Sequence, residues 1–234
     1  MGYQKVNSKK ATVYITEVTK EDSVVFQLDK IIEDVERFHG LKYTSEFKII
    51  IVSKNAHMRR FLPWLQGSGY SVSLGIADVI YIGPVARTSP KGIEQYIRHE
   101  LSHLLISQNT SFEKARLIQE QAWFSEGIAE YVSGHSFYRK SDFIKICRNE
   151  NFQFNGLNEM NPHQMSFKEL KFNYTYYKFF IDFLIDTYGL KAFHNYLSEY
   201  LEEPQEYMNL FLSIYKSDLG TLLNHFKLSL DLED

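Results

Sequence analysis

Two histidines four residues apart, in the run His99-Glu100-Leu101-Ser102-His103, lie inside a stretch whose apolar residues recur at helical spacing. Ile93, Ile97, Leu101, Leu104 and Leu105 mark one side of that stretch. Residues four apart on a helix stand one above the other on the same face. The chain must therefore build a largely buried helix that carries two imidazoles and a carboxylate, and buried polar groups need partners. Ser89 and Pro90 supply an N-cap and a first-turn proline, so the spacing predicts a helix over 89–107. His99 and His103 can then bind one metal ion. Glu100, on the flank of their face, can reach a water at that metal rather than the metal itself.

Composition narrows the kind of metal site. The single cysteine, Cys147, excludes a disulfide within the chain and a cysteine-based zinc site. Any metal must be held by histidine and carboxylate. A net charge of −3 provides no basic field for nucleic acid. A hydrophobic share of 44% and a charged share of 24% are ordinary for a globular protein. The N-terminal residues lack the apolar stretch of a leader peptide, and no segment approaches 18 uninterrupted apolar residues. The expectation is a cytoplasmic protein without a transmembrane segment, the alternative being a secreted or cell-envelope domain whose leader has been removed.

The pattern along the chain predicts an α+β fold. Residues 11–18, 47–52 and 78–82 read as strands, β-branched or aromatic and bounded by turn residues. An amphipathic helix is expected over 24–38, and another over 56–65, disturbed by Pro63. Beyond residue 89 the reading is helical. Thr110 and Glu113 form a capping box for one helix reaching Val132, stopped by Gly134. Further helices are expected over 141–148, 174–188, 190–201, 204–216 and 219–228. A small N-terminal mixed sheet would pack on the His99 helix and be followed by a mostly helical C-terminal half. With no linker or repeat, 1–234 reads as a single domain, β-rich over 1–88 and helical over 89–234.

A catalytic zinc site takes three protein ligands and leaves one position open. In Trp123-Phe124-Ser125-Glu126-Gly127-Ile128-Ala129-Glu130-Tyr131, Glu126 is set among apolar neighbours, and a metal would remove the cost of burying it. Glu130, one turn later on the same face, is placed to accept the second ring N–H of a metal-bound histidine, His99. The two blocks together resemble the gluzincin clan of metallopeptidases. The likeness is greatest to the small peptidase MA-like domains, which are distantly similar to thermolysin and the M1 aminopeptidases. It covers about residues 70–200. It implies a thermolysin-like catalytic domain with Zn2+ held by His99, His103 and Glu126. It also implies Glu100 as general base in peptide-bond hydrolysis and a peptide or protein as substrate.

The same resemblance extends to the tyrosine-rich segment 172–180. There Tyr174 takes the place of the family's oxyanion donor, with Tyr177 next in line and His163 a weaker alternative. The segment 73–82 resembles the family's edge strand, which pairs with an extended peptide, and Gly75 would let a backbone approach closely. Gly75-Ile76-Ala77 lacks the carboxylate with which exopeptidases of the family anchor a substrate amino group. That points away from an M1-like aminopeptidase and towards an endopeptidase or an uncharacterised specificity. Two other readings stand beside the enzyme. A catalytically inactive peptidase-like binding module would have no need of Glu100, and a structural zinc site would need a fourth ligand. His39, His57, His135, His194 and His225 show no ligand spacing. Cys147 reads as a small buried hydrophobe and 230–234 as a frayed acidic end.

Overall fold

A computed structural model of the protein describes residues 3–17, 20–54, 78–88, 92–149 and 165–231. Two compact units emerge, Met1–Ser111 and Phe112–Asp234. The boundary falls after the His99 helix, so that helix belongs with the sheet.

In the first unit, β1 (Gln4–Asn7) and β2 (Ala11–Ile15) form an antiparallel hairpin. Its turn is fixed by Ser8, whose Oγ accepts the Ala11 N–H at 3.0 Å. β2, β3 (Phe47–Ile51) and β4 (Val79–Ile82) then pair in parallel, in the order β1-β2-β3-β4. The sheet is mixed, as expected, with β1 an added strand. A parallel step needs a crossover, and β2 reaches β3 through a 3-10 segment, Lys20–Gln27, and helix α1, Leu28–His39. The single helix read over 24–38 is thus two pieces. Gly40, at φ 68°, ends α1 with its N–H on the Glu36 carbonyl, as glycine does at helix ends because it lacks Cβ. Val13, Ile49, Ile51, Ile80 and Ile82 from the strands are buried, as are Leu28, Ile31, Ile32 and Val35 from α1. After the short helix α2 (Val85–Thr88), α3 (Gly92–Gln108) packs on β4 and α1 and buries Ile97, Leu101, Leu104 and Leu105. The expected cap, Ser89-Pro90, lies outside the described residues.

The second unit is helical. One helix was expected over 110–132; the structure has two, α4 (Phe112–Glu120) and α5 (Ala122–Ser133), broken at Gln121. The reason is in the spacing of the buried residues. Ile118, Trp123 and Phe124 are all buried, yet five or six residues do not return to one face of a 3.6-residue helix. Gly134, at φ 69°, ends α5 as predicted. α6 (Lys140–Asn149) follows, then α7 (Phe167–Tyr188), which starts well before the expected Tyr174. Its start is a capping box: Ser166 Oγ accepts the Glu169 N–H, and the Glu169 carboxylate accepts the Ser166 N–H at 2.7 Å. α8 (Leu190–Glu202), α9 (Tyr207–Leu210, widening into a π turn over Phe211–Tyr215) and α10 (Leu219–Asp231) complete the unit. Its interior is aromatic. Trp123 stacks on Phe211, and Phe124 meets Tyr196 and Tyr200 edge-on. The helix expected over 56–65 and the extreme C-terminus, 232–234, lie outside the described residues. Among the described residues no helix is long and apolar enough to cross a membrane.

Candidate metal centre

On α3 the i, i+4 spacing does what helix geometry requires. His99 and His103 bring their Nε2 atoms within 3.2 Å, with ring centroids 4.8 Å apart. Glu100 is buried, and its Oε1 lies 3.8 Å from His99 Nε2. The back of the same turn is held by α1 and the loop after it. His39, 1% exposed, has Nδ1 2.8 Å from the Val35 carbonyl and Nε2 2.9 Å from Ser102 Oγ. A ring nitrogen facing a carbonyl must carry the hydrogen, so Nε2 accepts from the Ser102 hydroxyl. The Tyr43 hydroxyl donates to the Leu101 carbonyl at 2.7 Å. Burial pushes the Tyr43 phenol well above its usual pKa, with the Glu36 charge adding to it, so this donor keeps its proton. Neither His39 nor Tyr43 was singled out by the sequence. They stand about sixty residues from the motif they support, and no local spacing signals such a contact.

On α5, Glu126 is partly buried and Gly127, next to it, is fully packed. A Cβ on Gly127 would lie 3.1 Å from the Tyr177 carbonyl oxygen and 3.0 Å from Ile181 Cγ1, so the absence of a side chain lets α5 and α7 approach. Burial raises the Tyr177 phenol pKa, and the negative charge of Glu126 raises it further. Tyr177, the second of the two tyrosines read as oxyanion donors, thus feels the Glu126 charge. Tyr174 is partly buried and meets Phe137 edge-on at 6.3 Å. Glu130 is 1% exposed, and its Oε2 lies 2.7 Å from His135 Nδ1. His135 had no ligand spacing in the sequence; in the structure it pairs with this carboxylate.

Among the described residues, His99, His103 and Glu126 form a group that could hold a metal ion, one ligand atom from each lying within 4.8 Å of the others. The donor set fits zinc: two imidazoles and a carboxylate, with one position left for water. The 3.2 Å between the imidazole nitrogens is close to the edge of a tetrahedron drawn with zinc–nitrogen bonds of about 2.05 Å, which is roughly 3.3 Å. Two ring nitrogens at that distance can share a proton or a cation. The edge-strand residues 73–77, with Gly75, and His163 lie outside the described residues.

No family profile and no curated protein matches the sequence. Solved structures match in fold. A mutant of an M1 zinc metallopeptidase from Deinococcus radiodurans superposes with a TM-score of 0.62 at 13% identity, over 96% of this chain and 51% of that one. A mutant two-domain M1 zinc metallopeptidase bound to L-arginine gives 0.59 at 14% identity, over 97% of this chain and 51% of that one. Native leukotriene A4 hydrolase from Saccharomyces cerevisiae gives 0.55 at 13% identity, over 95% and 37%. The chain spans about half the length of the M1 structures that it matches. The fold is peptidase-like: a small mixed sheet with its helix, then a helical half.

Proposed function

We propose that this chain is a zinc-dependent peptidase of the gluzincin type, with His99, His103 and Glu126 as ligands. The observation that carries the reading is the gathering of these three ligand atoms within 4.8 Å, with the buried Glu100 carboxylate beside His99. Bound there, zinc would polarise a peptide carbonyl and make a water acidic enough to lose a proton near neutral pH. Glu100 accepts that proton as the water attacks, then delivers it to the leaving amine. Tyr174 donates to the developing oxyanion, and Glu130 accepts from His99 to fix its ring. The substrate is a peptide or protein, bound in extended form.

The test begins with metal content, where purified protein should hold about one zinc per chain. Glu100→Gln should keep the zinc and lose cleavage of a peptide library, and a chelator should abolish wild-type cleavage. A wild type that takes up no zinc at micromolar concentration overturns the site. Zinc binding with no peptide cleaved by the wild type overturns the enzyme reading in favour of a binding module.

A further inference from the structure

We propose that His135 is a positioning residue of the metal centre, acting through Glu130. The inference rests on the zinc reading above and adds a residue to it. Glu130 is one turn beyond Glu126 on the same face of α5 and is 1% exposed. A carboxylate so buried must be hydrogen-bonded, and His135 Nδ1 meets its Oε2 at 2.7 Å. Facing a carboxylate, Nδ1 carries the hydrogen and donates. With Oε2 held, the direction of the second oxygen is set by the plane of the carboxylate.

The chain is built to deliver this contact. Gly134, at φ 69°, reverses the backbone at the end of α5 and gives its N–H to the Tyr131 carbonyl. Ser133 Oγ donates to the Glu130 carbonyl at 2.9 Å and accepts the His135 N–H at 3.1 Å. These two contacts tie the residue that bears the ring to the turn that bears the carboxylate. The imidazole is then flanked by Phe137, edge-on at 4.6 Å and 87°, and Phe137 in turn meets Tyr174. The rotation of the ring is therefore fixed by backbone, carboxylate and aromatic contact together. Carboxylates that orient metal-bound histidines are typically worth a factor of 10–100 in metal affinity, and a group that fixes such a carboxylate controls a share of that factor.

The experiment compares wild type, His135→Ala and His135→Asn. The Asn side-chain amide places an N–H where Nδ1 stands but has no ring to pack on Phe137. Zinc affinity is measured by competition with a chromophoric chelator, ligand geometry by the visible spectrum of the Co2+-substituted protein, and folding by thermal melts of the metal-free proteins. His135→Ala should bind zinc roughly tenfold more weakly and change the Co2+ spectrum. His135→Asn should restore both, although it loses the ring contact as fully as alanine does. Equal affinity in all three proteins overturns the inference. So does an asparagine variant as weak as the alanine one, because the role would then be packing. A wild type that binds no zinc overturns the metal reading itself, an outcome told apart by its appearing before any substitution is made.

Discussion

Adding one methyl group at Gly127 tests how closely α5 and α7 must approach to place Glu126. That methyl would lie 3.0 Å from Ile181 Cγ1, 3.1 Å from Tyr177 Cβ and 3.1 Å from the Tyr177 carbonyl oxygen. Carbon atoms settle at about 3.5–4.0 Å, so the helices must part by roughly half an ångström. Ile181 and Tyr177 are both fully packed. Ile181 Cγ1 could turn away, but Cβ and the carbonyl of Tyr177 are fixed to the α7 backbone and move only with it. Overpacking of this kind costs about 1–3 kcal/mol. Alanine recovers up to about 1 kcal/mol over glycine within a helix, which leaves Gly127→Ala less stable by about 1 kcal/mol. For a chain of this length that is a fall in melting temperature of about 2–4 °C, read by circular dichroism on metal-free protein. Zinc affinity should fall with it, because Glu126 is the adjacent residue. A rise in melting temperature of similar size would show that helix propensity acts alone, and would refute the close approach.

Three further predictions concern the same elements. Ser102→Ala leaves the buried His39 Nε2 without its donor, so stability should fall by about 1–3 kcal/mol in chemical denaturation; no loss would mean that the 2.9 Å contact carries nothing. Tyr196 is fully buried, and its hydroxyl has no hydrogen-bond partner among the described residues. Tyr196→Phe should therefore leave the melting temperature unchanged or raise it, and a loss above about 1 kcal/mol would reveal a bond to that hydroxyl. Hydrogen bonds from Ser166 and Thr221 hold the carboxyls of Glu169 and Asp218 below their usual pKa values. A depressed folded-state pKa adds stability above the unfolded value, near 4, that is lost as pH falls through the folded one. The melting-temperature gap between wild type and the Glu169→Gln, Asp218→Asn double variant should thus be present at pH 6 and shrink as the pH is taken below about 4. A gap that does not change with pH would contradict this.

Much of the fold was legible because it rests on local rules. The apolar period of α3, the glycine stop at residue 134 and the three β-branched strands follow from spacing and backbone chemistry. Two departures follow from tertiary demands. The break at Gln121 satisfies the burial of Ile118, Trp123 and Phe124 together, which one straight helix cannot do. The early start of α7 was written in Ser166 and Glu169 as a capping box. It went unread because Phe167, which opens the helix, is exposed and gives no apolar period there. At the candidate site, His99, Glu100 and His103 were legible because helix geometry alone joins them. Glu126 was read from its apolar setting together with the resemblance. The His39–Ser102 and Tyr43–Leu101 bonds cross some sixty positions, and no pattern in one sequence encodes a contact of that range.

The residues found only in the structure share one physical task. Two imidazoles fixed 3.2 Å apart have lost rotational freedom that free side chains would keep, and that loss is part of the folding free energy. Helix α3 meets it by anchoring the backbone and side chain between the ligands, with Tyr43 on the Leu101 carbonyl and His39 on Ser102. Helix α5 does the same for its carboxylates, with Gly127 against α7 and His135 on Glu130. None of these four groups is a ligand in the proposed site. A ligand set fixed before the metal arrives spends less of its binding free energy on ordering. Removing any of these four contacts should therefore weaken zinc by an amount that does not simply track the loss of metal-free stability. If zinc affinity and metal-free stability instead fell in proportion across Tyr43→Phe, Ser102→Ala, Gly127→Ala and His135→Ala, these contacts would hold the fold and not the site.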